Sequence, residues 1–230
     1  MNKMTEEKQA GHRAAAKQRS EALVHRLVQQ ITSHPGDFEP YYELATALVD
    51  LQSYAQAEEL LMKALGLFAE RPDAVERLHY GLGNVYYAAQ DYPKAIAQFD
   101  QLNAQLKGAG YLMIAQSHMA NGDHKRALAF ALTALASQPQ DLATLQVVAE
   151  NLLAVGDMAQ AGHYYDQILS QDAQNGPANF DRGLVAMVQG EPYAAYFARA
   201  KAADPQYYAK GQKRLTEIEK FVDAQRKKKE

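Results

Sequence analysis

Residues 119–127 read MANGDHKRA, and residues 153–161 read LAVGDMAQA. In both, a Gly-Asp pair closes one apolar-periodic stretch and opens another. A third turn, Gln189-Gly190-Glu191, extends the series, so that the glycines at 122, 156 and 190 lie 34 residues apart twice in succession. Glycine just past a helix takes the left-handed conformation that other residues resist, and an acidic residue after it caps the next helix. The pattern predicts a helix–turn–helix unit repeated every 34 residues.

Upstream, the turns Gln52-Ser53-Tyr54 and Gln90-Asp91-Tyr92 fit the same scheme. A small residue opens the apolar face of each second helix: Ala57, Ala95, Ala127 and Ala161, at spacings of 38, 32 and 34. The deviations are local. LLMKALGLFAER (60–71) runs about one turn longer before Pro72, and Lys107-Gly108-Ala109-Gly110 reads as a shortened loop.

Composition is that of an ordinary folded domain, with 47% hydrophobic and 22% charged residues. No cysteine is present, which excludes disulfides, thiolate catalysis and Cys-based metal sites and fits a reducing compartment. The charged N-terminal stretch lacks the apolar core of a signal peptide, and the longest apolar run, ALAFALTALA (127–136), falls short of the ~18 residues of a membrane span. A cytoplasmic protein with no membrane partner is expected. Residues 27–200 carry nine Lys/Arg against nineteen Asp/Glu, whereas 1–26 and 201–230 are net basic. An acidic body repels phosphate and argues against a nucleic-acid surface.

The units resemble tetratricopeptide repeats. The second fits best, with Leu82-Gly83, Tyr86, Ala95 and Phe99. The first offers Tyr41, Leu44-Ala45, Ala57, Leu61 and Ala64. The third has Tyr111, Ile114-Ala115, Ala127, Ala134 and Pro139; the fourth Leu145, Val148-Ala149, Ala161 and Tyr165; the fifth Gly183, Gly190, Phe197, Ala200 and Asp204-Pro205. The resemblance implies an all-α fold, a right-handed α-α superhelix of about five helix–turn–helix repeats. It covers 38–205, divided at about 38–72, 73–107, 108–140, 141–175 and 176–205. An N-terminal helix or partial repeat (1–37) and a C-terminal capping helix with a basic tail (206–230) flank it. Within 5–33, Leu23, Leu27 or Val28, and Ile31 share one helical face. In the last helix the apolar stripe is Tyr208, Gly211, Leu215, Ile218 and Val222.

The resemblance also implies that the first helices line a concave groove for a peptide or helix. Helical steps of three and four place Tyr42 and Thr46 there (with Glu39 and Val49), then Arg77, Tyr80, Asn84 and Tyr87. The same steps give Leu112, Gln116 and Met119, then Gln146, Glu150 and Leu153, then Phe180 and Met187 (with Leu184). Tyrosines bring area and a hydroxyl, amides bond an extended backbone, and methionine adapts to varied side chains. Tyr86 and Tyr165 are expected in the packing between helices. Only Arg77 is basic among the groove positions, which disfavours a clamp of several cations on a chain-terminal carboxylate.

No chemistry is legible. Gly81-Leu82-Gly83 lacks a third glycine and a preceding strand, the seven histidines show no metal spacing, and no P-loop or nucleophile elbow occurs. The expectation is a non-enzymatic scaffold or adaptor for a protein or peptide partner, without cofactor or metal. Two alternatives stay open: a self-associating module or homo-oligomer, and a ribosome- or RNA-associated factor using the basic termini.

Overall fold

A computed structural model of the chain describes residue 18, residues 21–103 and residues 105–227. Among them are twelve helices and no strand: α1 (21–33), α2 (Glu39–Asp50), α3 (Tyr54–Leu67), α4 (Pro72–Ala88), α5 (Tyr92–Phe99), α6 (Lys107–Ala120), α7 (His124–Ser137), α8 (Leu142–Ala154), α9 (Met158–Gln171), α10 (Gly176–Gln189), α11 (Ala194–Ala203) and α12 (Pro205–Lys227). This is the all-α repeat solenoid that the spacing predicts. Of the helix expected over 5–33, residues 5–17, 19 and 20 lie outside the described residues, as do the tail residues 228–230.

The turns follow the predicted chemistry, with additions. Gly122, Gly156 and Gly190 have φ of 78°, 88° and 76°. Asp123 and Asp157 each accept a backbone N–H three residues on, from Arg126 (3.2 Å) and Gln160 (3.1 Å). Asp91 does the same for Lys94. In the two upstream turns the left-handed residue is a glutamine, Gln52 (59°) and Gln90 (63°), a conformation that costs an L residue roughly 1–2 kcal/mol. Glu191 departs from the pattern: its carboxylate takes Arg182 (3.1 Å), and α11 starts without a side-chain cap.

The chain forms two units, divided between Ser117 and His118. In the first, α2 packs on α3 and α4, α3 on α4, and α4 on α5. Leu44, Ala57, Leu61, Leu78, Leu82 and Phe99 are buried between them. The Phe99 ring fills the space beside Gly83, where a Cβ would stand 2.4 Å from it. After α5 the Glu76 carboxylate accepts the backbone N–H groups of Asn103 (2.8 Å) and Leu106 (3.2 Å). Residues 107–110, expected as a loop, are instead the first turn of α6. Gly110 donates to the Leu106 carbonyl (2.7 Å) and seats the backbone against Leu102 and the Phe99 carbonyl, so no slack remains for a loop.

In the second unit, α8 packs on α7 and α9, and α10 on α9, α11 and α12. Tyr165, Ile168, Phe180 and Leu184 form its core. The stripe predicted on α12 meets this core: Tyr208, Leu215, Ile218 and Val222 pack on a cluster of Phe180, Leu184, Met187 and Phe197. Gly211 makes the approach possible, since a Cβ there would stand 2.3 Å from the Phe180 ring.

These contacts separate two glycine substitutions that intrinsic propensity alone would treat alike. Gly66 in α3 has nothing within 4 Å of its missing Cβ, and Gly66→Ala should stabilise by about 0.5–1 kcal/mol. Gly83→Ala should destabilise by about 1–3 kcal/mol, because the buried Phe99 ring must move. Urea unfolding of the two variants measures both signs.

Candidate functional site

The predicted groove positions of the first two repeats lie on α2 and α4, which pack on each other. Gly81 leaves room for the Tyr42 ring, which lies 2.9 Å from where a Cβ would be. One turn earlier on α4, the Arg77 guanidinium sits over the same ring, 4.1 Å from its centroid. The Arg77 Nε is buried and has no hydrogen-bond partner among the described residues. Tyr80 tilts against Phe99 at 5.8 Å. Burial pushes the Tyr80 hydroxyl above its ordinary range; Tyr42 adds to the rise, while Arg77 and Asn84 oppose it. Tyr87 meets Tyr92 edge-on at 5.8 Å, and burial raises its hydroxyl as well. Tyr42, Arg77, Tyr80, Asn84 and Tyr87 are all partly exposed.

Tyr86, one residue from Tyr87, is buried in the packing between helices, as expected. Its hydroxyl donates to the Glu58 carboxylate (2.8 Å), and its pKa is pushed up to about 12 by burial and by that carboxylate. Thr46 is exposed, and its hydroxyl returns to the Tyr42 carbonyl (3.1 Å). Leu112 and Gln116 are partly exposed on α6.

The remaining predicted positions belong to the second unit. Met119 receives an N–H from Asn151 on its sulfur (3.3 Å), so it is partly committed to the fold. Gln146 donates to Glu150 (2.7 Å), and Leu153 is partly exposed. Phe180 and Met187 are a correction. They are 0% and 2% exposed, and Leu184 is 1% exposed. Helical spacing puts them on the same stripe as Tyr80 and Tyr87, but in the last repeat α12 occupies that stripe. Tyr207 and Tyr208 close on the Phe180 ring at 5.8 and 5.7 Å.

The same contact holds residues that the periodicity did not single out. Asp181 is 1% exposed. It accepts the Tyr207 hydroxyl (2.8 Å) and an ion-paired bond from Arg214, both on α12. Burial pushes its carboxyl up to about 6, with Arg214 and Tyr207 pulling the other way. The one available signal was an acid inside the apolar run of α10. Among the described residues, no group of three or more His, Asp or Glu could hold a metal ion, and no helix is long and apolar enough to cross a membrane.

Two family models described as tetratricopeptide repeat match the chain, at residues 37–102 and 80–142. No curated protein matches. Solved structures do. PilF of Pseudomonas aeruginosa is 16% identical with a TM-score of 0.70, covering 90% of this chain and 95% of its own. PilW, a widely conserved type IV pilus biogenesis factor, is 17% identical with a TM-score of 0.70, covering 90% and 96%. YrrB, a TPR protein with an unusual peptide-binding site, is 19% identical with a TM-score of 0.59, covering 82% and 97%. At these identities the likeness is one of fold. Residues 37–142 match models of the tetratricopeptide repeat, a family that generally mediates protein–protein interactions and is typically non-catalytic.

The Asp181 site gives a pH-dependent prediction. Its carboxyl titrates higher in the fold (about 6) than in an unfolded chain (about 3.9), so the ionised form is the strained one. Stability drawn from this group is therefore complete at low pH and is lost as pH rises from about 4 through 6. Arg214→Met removes the cation and should cost about 3–5 kcal/mol at pH 7.5, where the carboxylate is charged. At pH 5 the loss should be clearly smaller, and Asp181→Asn in the same background should abolish the pH dependence. A loss equal at both pH values in urea unfolding would assign Arg214 to packing over Phe180 instead.

Proposed function

We propose that this protein is a non-enzymatic adaptor that binds a segment of a protein partner on the inner face of its first helices. The observation that carries the reading is the partly exposed row of Tyr42, Arg77, Tyr80, Asn84 and Tyr87 beside the buried Tyr86. Aromatic rings supply contact area at low entropic cost, and the Asn84 amide offers both a donor and an acceptor to an extended backbone. Thr46, Leu112 and Gln116 extend the face in the same unit, and Gln146, Glu150 and Leu153 offer a comparable one in the second. The peptide-binding site named for YrrB supports the reading by likeness of fold.

The test replaces Tyr80, Asn84 and Tyr87 together by alanine in the full chain. These side chains are partly exposed, so unfolding should show a folded protein. Partner recovery from a native cell extract should drop at least about tenfold, since loss of aromatic anchors in an interface costs about 2 kcal/mol or more. A folded variant that recovers the same partners at the same level refutes the reading.

A further inference from the structure

Among the described residues, Arg77 is a cation without a counter-ion. Four other arginines have one: Arg71 pairs with Asp73, Arg126 with Asp123, Arg182 with Asp166 and Glu191, and Arg214 with Asp181, while Arg199 over the Tyr196 ring donates to the Asn179 amide oxygen. Arg77 instead leans on the Tyr42 ring, with its Nε buried and unbonded among the described residues. A ring face offsets part of the cost of desolvating a guanidinium, but it does not supply the paired oxygens that the guanidinium fork takes. Tyr42, seated on Gly81, holds the charge in place on the face where the partner segment docks.

We infer that Arg77 receives the side-chain carboxylate of a single Asp or Glu in the bound segment, flanked by apolar or aromatic residues rather than by further acids. The inference rests on the inner-face reading above. Three observations fix the ligand class. One fork matches one carboxylate, and no second basic residue stands among the inner-face positions of this unit. Tyr42 lies against the cation, and Tyr80 and Tyr87 continue the ring surface along α4, which selects apolar neighbours. Residues 27–200 carry nine basic against nineteen acidic side chains, so each further acid on the ligand meets repulsion instead of a partner. Screening at physiological salt confines the pull of Arg77 to within about 8 Å. A chain-terminal carboxylate is disfavoured because it would call for several cations.

The experiment pans a phage-displayed library of random short peptides on the full chain. The peptides are fused through their C-termini, so side chains are the only carboxylates in the random segment. One enriched peptide is then synthesised in acid and amide forms, Asp or Glu against Asn or Gln. One acidic position should be enriched, and wild type should bind the acid form about tenfold or more tightly than the amide form. Arg77→Gln, checked for folding, should bind both forms alike. Arg77→Lys keeps the charge without the fork; it should show a reduced preference, and serves if Arg77→Gln does not fold. Peptides without an enriched acid, a preference that survives in Arg77→Gln or is undiminished in Arg77→Lys, or affinity that climbs with added acids overturns the inference. The reading above stands in those cases if the Tyr80, Asn84 and Tyr87 triple variant still loses the peptides. Peptides indifferent to the triple variant, or no enriched peptides at all, overturn both.

Discussion

The architecture depends on rings meeting places where a side chain is missing. Phe99 lies beside Gly83, Phe197 beside Gly183, and Phe180 beside Gly211, each closer than any Cβ would allow. A helix pair with a thin apolar face cannot bury that face alone. Removing one side chain lets backbone approach ring, and the ring then fills the interior at crystal-like density. The alanines at 57, 95, 127 and 161, all 0% exposed, serve the same end on the second helices. The repeat is thus a spacing rule for small residues and rings.

That rule also separates scaffold from surface. Tyr86 and Tyr87 point about 100° apart because neighbours on a helix must. One ring is buried and bonded to Glu58; the other stays partly exposed on the face with Tyr80 and Asn84. Gly81 and Gly83 show the same division. Gly83 admits a core ring, whereas Gly81 admits Tyr42, whose ring also carries Arg77. This partly exposed face is shaped by the spacing that builds the core, so its geometry is inherited from the fold.

The helices were legible because their punctuation is chemical. Glycines 34 residues apart mark three turns, and an aspartate one step later caps the next helix in two of them. Gln52 and Gln90 were placed in turns, but their left-handed backbone was not foreseeable, since side-chain type argues against it and only the packed helices on either side enforce it. The loop expected at 107–110 became helix because Gly110 is held by contacts from α5 and the segment after it, distant causes that local composition does not carry. Among the predicted groove positions, periodicity found Tyr42, Arg77, Tyr80, Asn84 and Tyr87 partly exposed. It misplaced Phe180 and Met187 because period describes one helix and not what lies on top of it. Asp181 was hidden for the same reason: its partners, Tyr207 and Arg214, are 26 and 33 residues away.

The cover that α12 places over α10 has a consequence for the order of synthesis. Phe180, Leu184 and Met187 leave the ribosome before Tyr208, Leu215 and Ile218 do. Until α12 follows, the second unit presents an open aromatic patch and an unpaired Asp181. The nascent chain therefore passes through an interval in which it is sticky at its growing end, and an intact C-terminal helix closes that interval. A chain truncated ahead of α12 would leave Phe180, Leu184 and Met187 without that cover.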